Sequence, residues 1–339
     1  MKKISRLLAL LMALAMAVSL AACSNDSGDV SAPASQPADD TSASPSTDGQ
    51  TYTVGIIQQM QHVALDSATQ GFQDALTELL GDAVTIDYKN ASGETANCTT
   101  IVGDFVASNV DLIMANGTTA LQSAMAATSS IPILGTSITE YGVALGIDGF
   151  TGTTGINVSG TSDLAPLDQQ AAMLQEWFPD AQTVGLLYCS AEPNSEYQVQ
   201  VVEEYLTGKG ITCVRYSFAD SNDVAAVTTK AAADSDVIYI PTDNTAASCT
   251  ETIGNIVLNA GTPVVAGEQG ICAGCGVATL SISYYDLGYK TGEMAAQILT
   301  GEADISQMAI AYAPAAKMYN PTMCEALNIT VPDGYTAME

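Results

Sequence analysis

Thr53-Val54-Gly55-Ile56-Ile57, then Gln58-Gln59-Met60-Gln61-His62, then the run 64–80: this stretch decides the fold. The first five residues are β-branched or small and show no polar alternation, as expected of a strand buried on both faces. The next five are a polar turn. In the run that follows, Leu65, Ala68, Phe72, Ala75, Leu76 and Leu79 recur at three- and four-residue spacing, one face of an α-helix. The same strand, turn and helix unit repeats outward along the chain. Strands are expected over 84–88, 110–115 and 131–134, with helices over 95–108 and 118–128. A second round gives strands over 183–188, 212–216, 237–240 and 263–266, and helices over 166–178, 195–209, 224–233 and 246–260. Helices of this length between short apolar strands imply parallel sheets covered on both faces. Two rounds imply an α/β protein of two doubly wound parallel-sheet lobes.

Composition bounds the function. The chain has 339 residues, 37 Asp and Glu against 9 Lys and Arg, one His and a formal charge of −28. Nucleic acid is excluded as a partner, because phosphate recognition needs clustered Lys and Arg. Three of the nine basic residues, Lys2, Lys3 and Arg6, open the chain, and an apolar run over 7–22 follows. A positive start, a short apolar region and small residues at its end describe a secretory signal over 1–22, too short to span a membrane comfortably. Leu20-Ala21-Ala22-Cys23 resembles the lipobox of bacterial lipoproteins. That resemblance implies cleavage before Cys23 and a lipid on it, so the protein would attach to the membrane through the acyl chains. Residues 24–50 are Ser, Asp, Pro, Ala and Thr with almost no large apolar side chain, and are expected to be a flexible tether.

In doubly wound sheets, ligands sit beyond the carboxyl ends of the strands. The segments there are Gln58 to His62, Asn116-Gly117-Thr118-Thr119 and Gly135-Thr136-Ser137 in the first half. In the second half they are Cys189 to Ser195, Pro241-Thr242-Asp243-Asn244-Thr245 and Gly267-Glu268-Gln269-Gly270. They are rich in hydroxyls and amides and contain no Arg. Hydroxyls and helix N-termini near Thr118, Thr119, Thr136, Ser137 and Ser195 suit a carboxylate. Glu192, Asp243 and Glu268 suit an ammonium, with Met60 and His62 lining a side-chain pocket. This mixture fits a small zwitterion better than a polyphosphate.

Five motifs in order carry a family resemblance. They are Gln61-His62-Val63-Ala64-Leu65-Asp66, Ala191-Glu192-Pro193-Asn194-Ser195, Ile240 to Thr245, Val265-Ala266-Gly267-Glu268, and the stretch from Tyr285-Asp286-Leu287-Gly288-Tyr289 to Leu299-Thr300-Gly301-Glu302. Through them the chain resembles the type 1 periplasmic-binding-protein-like lipoproteins of ABC importers, in particular the tryptophan and tyrosine transporter subgroup. At the first motif the subgroup usually has Glu-His-Pro, where this chain has Gln61-His62-Val63. The resemblance implies an extracytoplasmic, monomeric receptor without cofactor, whose partners are an ABC permease and a small solute, expected to be a hydrophobic or aromatic amino acid. It implies three hinge crossovers, near 158–163, 280–283 and 312–317. Lobe 1 would then hold 51–160 plus 284–312, and lobe 2 would hold 161–283 plus 313–339. The expected ligand-binding set is Gln59, Met60, His62, Thr118, Thr119, Thr136, Ser137, Glu192, Asn194, Ser195, Thr242, Asp243, Asn244 and Glu268.

Rival chemistry has few carriers. A sugar, nucleoside or peptide-like solute would use the same fold, though strand-end loops without Arg count against sugars. His62 is the single histidine, so a His-rich metal cluster is excluded; it either touches ligand or is a structural loop residue. Cys272-Ala273-Gly274-Cys275 raises a thiol oxidoreductase as an alternative. Its late, Gly-rich position favours a short-range disulfide or two free thiols, and no second CxxC completes a zinc site. The other cysteines after Cys23 are Cys98, Cys189, Cys213, Cys249 and Cys324. An enzyme is not expected. Trp177 and Phe178 are expected in a lobe core. Tyr197, Tyr239, Tyr284 and Tyr285 remain open between a stacking wall and packing.

Overall fold

The computed structural model describes residues 49–338. The expected signal, Cys23 and the tether through residue 48 lie outside the described residues. The first lobe is built from β1 (Tyr52–Gln58), α1 (Val63–Leu80), β2 (Val84–Asn90), α2 (Thr95–Ala107), β3 (Leu112–Asn116), α3 (Thr118–Ala127), β4 (Ile133–Ile138), α4 (Tyr141–Leu145) and β5 (Val158–Ser162). The second holds α5 (Leu167–Trp177), β6 (Thr183–Cys189), α6 (Pro193–Gly208), β7 (Thr212–Phe218), α7 (Val224–Asp234), β8 (Val237–Ile240), α8 (Asn244–Ser248), α9 (Thr250–Ala260), β9 (Val264–Ala266), α10 (Gln269–Cys275) and β10 (Ala278–Ser281). The chain then returns with α11 (Tyr284–Leu299) and β11 (Ala311–Tyr312) to the first sheet side. It ends with β12 (Ala316–Tyr319), α12 (Pro321–Ala326) and β13 (Thr336–Ala337) in the second.

Among the described residues the first sheet runs β11-β5-β4-β3-β1-β2 and is wholly parallel. The second runs β13-β12-β10-β9-β8-β6-β7, with β10 and β12 antiparallel. In each sheet the lobe's first strand lies between its second and third. The winding therefore reverses there, and a crevice opens at the carboxyl ends. The chain passes between sheets after Ser162, after Ser281 and after Tyr312. Pairing with β4 keeps Ser162 in the first sheet, two residues beyond the expected boundary at 160.

The central strands are apolar because both faces are covered. In β1, Val54 and Ile56 join Phe72 and Leu76 of α1 and Met294 and Ala295 of α11. Ile57 faces the other way, into a cluster with Val102 and Phe105 of α2. Each such fully buried side chain stabilises the fold by about 1.5–3 kcal/mol. Helices α1 and α11 touch backbone to backbone. A Cβ on Gly288 would fall 1.9 Å from the Ala68 carbonyl oxygen, and one on Gly71 would fall 2.1 Å from that of Tyr285.

Three elements differ from the sequence reading. Strand β4 continues through Gly135-Thr136-Ser137, expected to be loop, because β5 pairs along it across a register shift between Gly135 and Ile138. The helix expected over 246–260 breaks at Cys249 into α8 and α9. The Gly-rich CxxC segment is helical, α10, because Glu268 caps it by accepting from the backbone N–H groups of Gly270 and Ile271.

Candidate functional site

The first lobe holds its cleft-facing loops mainly with amides and hydroxyls, and Glu94 is the acidic residue on its side of the cleft wall. Gln58, fully buried at the end of β1, donates from Nε2 to the Met60 carbonyl (2.8 Å) and to Asp66 Oδ1 (2.6 Å), and accepts from Thr69 Oγ1 (2.6 Å). Asn116 at the end of β3 donates to the Leu65 carbonyl at 2.8 Å. The Gln59 side chain accepts from the Thr119 N–H at 2.9 Å, so an amide occupies part of the α3 N-terminus. Gly117 permits this approach: its φ is +104°, and a Cβ there would lie 2.7 Å from Gln59 Oε1. Ser137 stands in the left-handed region at φ +56° where β4 and β5 slip register, and its buried hydroxyl has no partner. A non-glycine residue held there by its surroundings is a common mark of a functional position.

The second lobe uses carboxylates. Glu192 follows β6. Its Oε2 accepts from the Asn244 N–H (3.0 Å) and Nδ2 (2.7 Å), and its Oε1 from the Thr245 N–H (2.9 Å) and Oγ1 (2.7 Å). Asp243 accepts from the N–H groups of Cys189 (2.6 Å) and Ala246 (2.8 Å), fixing the start of α8 to the end of β6. Burial, and then the Glu192 charge, push the Asp243 carboxyl up from its ordinary value. Burial likewise pushes Glu268 up to about 7, against the lowering effect of its two backbone hydrogen bonds.

One hydrogen bond joins these faces directly: His62 Nε2 lies 3.2 Å from Asn244 Oδ1. Asn244 Nδ2 donates to Glu192, so its Oδ1 must accept, and Nε2 of His62 carries the hydrogen. Burial lowers the His62 pKa, against the hydrogen bond to Asn244, and favours the neutral ring. Nδ1 is then a bare acceptor, buried and without a partner. Asn194 Oδ1 is a second such acceptor on the opposite lobe.

A cleft of about 620 Å³ opens between the lobes. Gln59, Met60, Tyr88, Asn90, Ser92 and Thr119 line it on one side, and Ala191, Glu192, Asp220, Ser221, Thr245 and Ser248 on the other. No Lys or Arg is among its walls. Of the expected ligand-binding residues, Gln59, Met60, Thr119 and Glu192 line this cleft. His62, Ser137 and Asn194 each hold an unpartnered buried atom. Thr118 and Ser195 are buried in the first turns of α3 and α6. Thr136 lies 3.2 Å from Thr161, which lies 2.8 Å from Thr291 of α11, a hydroxyl chain inside the first lobe. Thr242 is held through its N–H by Gln198 at 3.0 Å. Asp243 does not line the cleft, and Glu268 lines a separate 330 Å³ cavity between α1, α10 and α11.

Several residues escaped the sequence reading. Asn90 ends β2 and Ser92 follows it, and Asp220 and Ser221 follow β7. Both loops obey the strand-end rule, and applying it to every strand would have found them. Asp163, just past β5, is buried with Oδ2 accepting from Tyr284 Oη at 2.9 Å. The thiols of the CxxC are fully buried, and burial pushes both up, the reverse of an activated thiolate. The seven described cysteines are free. Trp177 packs edge-on against Tyr335, in the core of the second lobe.

Two doubly wound lobes around a polar cleft, joined by three crossings, define a type 1 periplasmic-binding-protein fold. Residues 53–337 match the ABC transporter substrate binding protein family, and the chain belongs to it. It is 32% identical over 253 residues to a tyrosine-binding protein of Clostridioides difficile, covering 74% of this chain and 73% of that one. An ABC domain from Streptococcus pneumoniae solved in complex with L-Trp superposes with a TM-score of 0.81 at 28% identity, covering 85% of this chain and 100% of that one. A ligand-free, open substrate-binding protein with adhesive properties from Clostridium difficile reaches a TM-score of 0.65 at 33% identity, covering 85% and 99%. The more similar sequence is the less similar shape. Among the described residues no helix is long and apolar enough to cross a membrane.

Proposed function

We propose that this protein is the extracytoplasmic, lipid-anchored, monomeric receptor of an ABC importer, and that its solute is an aromatic amino acid, tyrosine or tryptophan, enclosed between the lobes and passed to a membrane permease. It works by binding and not by catalysis. The observation that carries this reading is the set of buried polar atoms without partners on both sides of the lobe junction: Ser137 Oγ and His62 Nδ1 from one lobe and Asn194 Oδ1 from the other. Buried polar atoms are nearly always hydrogen-bonded, so a polar ligand between the lobes accounts for them together. The tyrosine-binding and L-Trp-bound relatives support the ligand class. The higher TM-score to the ligand-bound relative than to the open one supports a closed arrangement of the lobes here. Contacts from both lobes to one ligand favour that state of a hinge equilibrium.

Calorimetry and thermal melting against the twenty amino acids test this. A ligand at 100 times its Kd raises stability by about 2.7 kcal/mol, and tyrosine or tryptophan is expected to do so. A response to a sugar or nucleoside and to no amino acid would reject the ligand class. For the anchor, Cys23→Ser is expected to move the protein from the membrane fraction to the soluble one.

A further inference from the structure

Four acidic residues are buried among the described residues: Asp163, Glu192, Asp243 and Glu268. Three are saturated. Glu192 accepts five hydrogen bonds, and Asp243 and Glu268 accept two backbone N–H groups each. Asp163 differs. One oxygen accepts from Tyr284, and the other, Oδ1, is buried without a hydrogen bond of good geometry, its burial only partly offset by the neighbouring Thr139 hydroxyl. None of the described Lys or Arg residues is available to it. Lys89, Arg215, Lys230, Lys290 and Lys317 form ion pairs elsewhere at the surface, and Lys209 is exposed beside Tyr205. A buried carboxylate with a bare oxygen and no cation is costly unless a positive group completes it.

Position adds to chemistry. Asp163 follows β5 directly at the first crossing between lobes, and its backbone N–H donates to the Ile138 carbonyl at 3.2 Å. It is thereby tied to the residue after Ser137, whose own unpartnered hydroxyl is held in left-handed backbone. Tyr284, which holds the other oxygen, opens α11 at the second crossing. The bare oxygen thus sits where two hinge segments meet at the carboxyl edge of the first sheet.

We infer that Asp163 is the residue that receives the ammonium group of the ligand, with the unpartnered Ser137 hydroxyl as a second acceptor for it. This rests on the reading that the ligand is an amino acid. The ligand's positive charge replaces the missing side-chain cation. Because Asp163 and Tyr284 belong to different hinge segments, occupation also ties those segments together. Burial raises Asp163 to about 6, which an ammonium would reverse. Tyr284, Tyr141 and Glu268 are the titratable groups around it, and none supplies a positive charge.

The test uses L-Trp and indole-3-propionate, the same side chain and carboxylate without the amine, by calorimetry at pH 7.5. Wild type is expected to bind L-Trp roughly 100-fold more tightly than the deaminated acid, the scale of a lost buried charge partner. Asp163→Asn is expected to lose that preference, weakening L-Trp about 100-fold and leaving the acid within about threefold. Equal L-Trp binding by Asp163→Asn and wild type overturns the assignment, as does equal weakening of both ligands. If the variant fails to fold, wild type alone decides: an acid bound within threefold of L-Trp overturns the role of the amine. If no aromatic amino acid binds wild type, the proposed ligand class falls and this inference with it. If L-Trp binds but Asp163→Asn is neutral, only the inference falls.

Discussion

The two lobes repeat one winding order but hold their cleft-facing loops by different means. The first uses amides and hydroxyls: Gln58, Gln59, Asn116 and Thr69 bind one another, nearby carbonyls and the start of α3. The second uses Glu192, Asp243 and Glu268, each aimed at the start of a short helix. A network made mostly of amides and hydroxyls, with Asp66 as its one carboxylate, responds less to pH and loses little when one member is removed. A buried carboxylate accepting several N–H groups is strong when complete, and leaves several unsatisfied donors when removed. The second lobe is therefore expected to be the more pH-responsive and the more fragile to a single polar substitution.

Four variants break or sharpen this contrast. Glu192→Leu strands the N–H groups of Asn244 and Thr245 and is expected to cost about 3–5 kcal/mol in urea unfolding. Should it cost under about 1 kcal/mol, the carboxylate is not what holds α8. Gly288→Ala attacks the first lobe through packing. With the Ala68 carbonyl 1.9 Å from the added Cβ, α1 and α11 must part, at about 1–3 kcal/mol. Equal melting of variant and wild type would show that the helices slide freely.

The third is a pH effect. Glu268 sits near 7 in the fold against an ordinary 4.5. Between those values the folded protein keeps a proton that the unfolded chain has released, so this group's contribution to stability falls as pH rises through the window. His62 acts oppositely: its lowered pKa means stability is lost as pH falls below its ordinary 6.5. Glu268→Gln removes only the first contribution. It is expected to flatten the stability–pH curve between pH 5 and 7 by on the order of 1 kcal/mol relative to wild type. A parallel curve would assign the pH dependence to other groups. The smallest effect is expected from Gln58→Met, about 0.5–1.5 kcal/mol with no change in pH slope. A loss as large as that of Glu192→Leu would erase the distinction between the lobes.

The fold was legible because burial on both faces writes itself into β1, β3 and β8 as unbroken apolar runs, and because α1 shows its buried stripe at helical spacing. Where a side chain far along the chain sets the outcome, the sequence was opaque. Gly135-Thr136-Ser137 reads as a turn and is strand, because β5 pairs with it. The strand-end rule found Gln59, Thr119 and Glu192, but it cannot say where each carboxylate's hydrogen bonds go.

The amino-acid sequence by itself determined the winding order, the two lobes, the family and the poverty of cations at the strand ends. The lobes and the missing cations follow from local periodicity and composition, and the family from the resemblance that five motifs carry. Only the tertiary structure decided which acids are spoken for. Glu192, Asp243 and Glu268 look like ligand groups in the chain, yet in the fold their oxygens are filled by N–H groups, two of those sets brought from 50 or more residues away. Asp163, unremarked in the sequence beyond its place at a crossover, is the buried acid left with a bare oxygen. Hydrogen-bond satisfaction is a property of three-dimensional neighbours, and residue type fixes only the capacity for it.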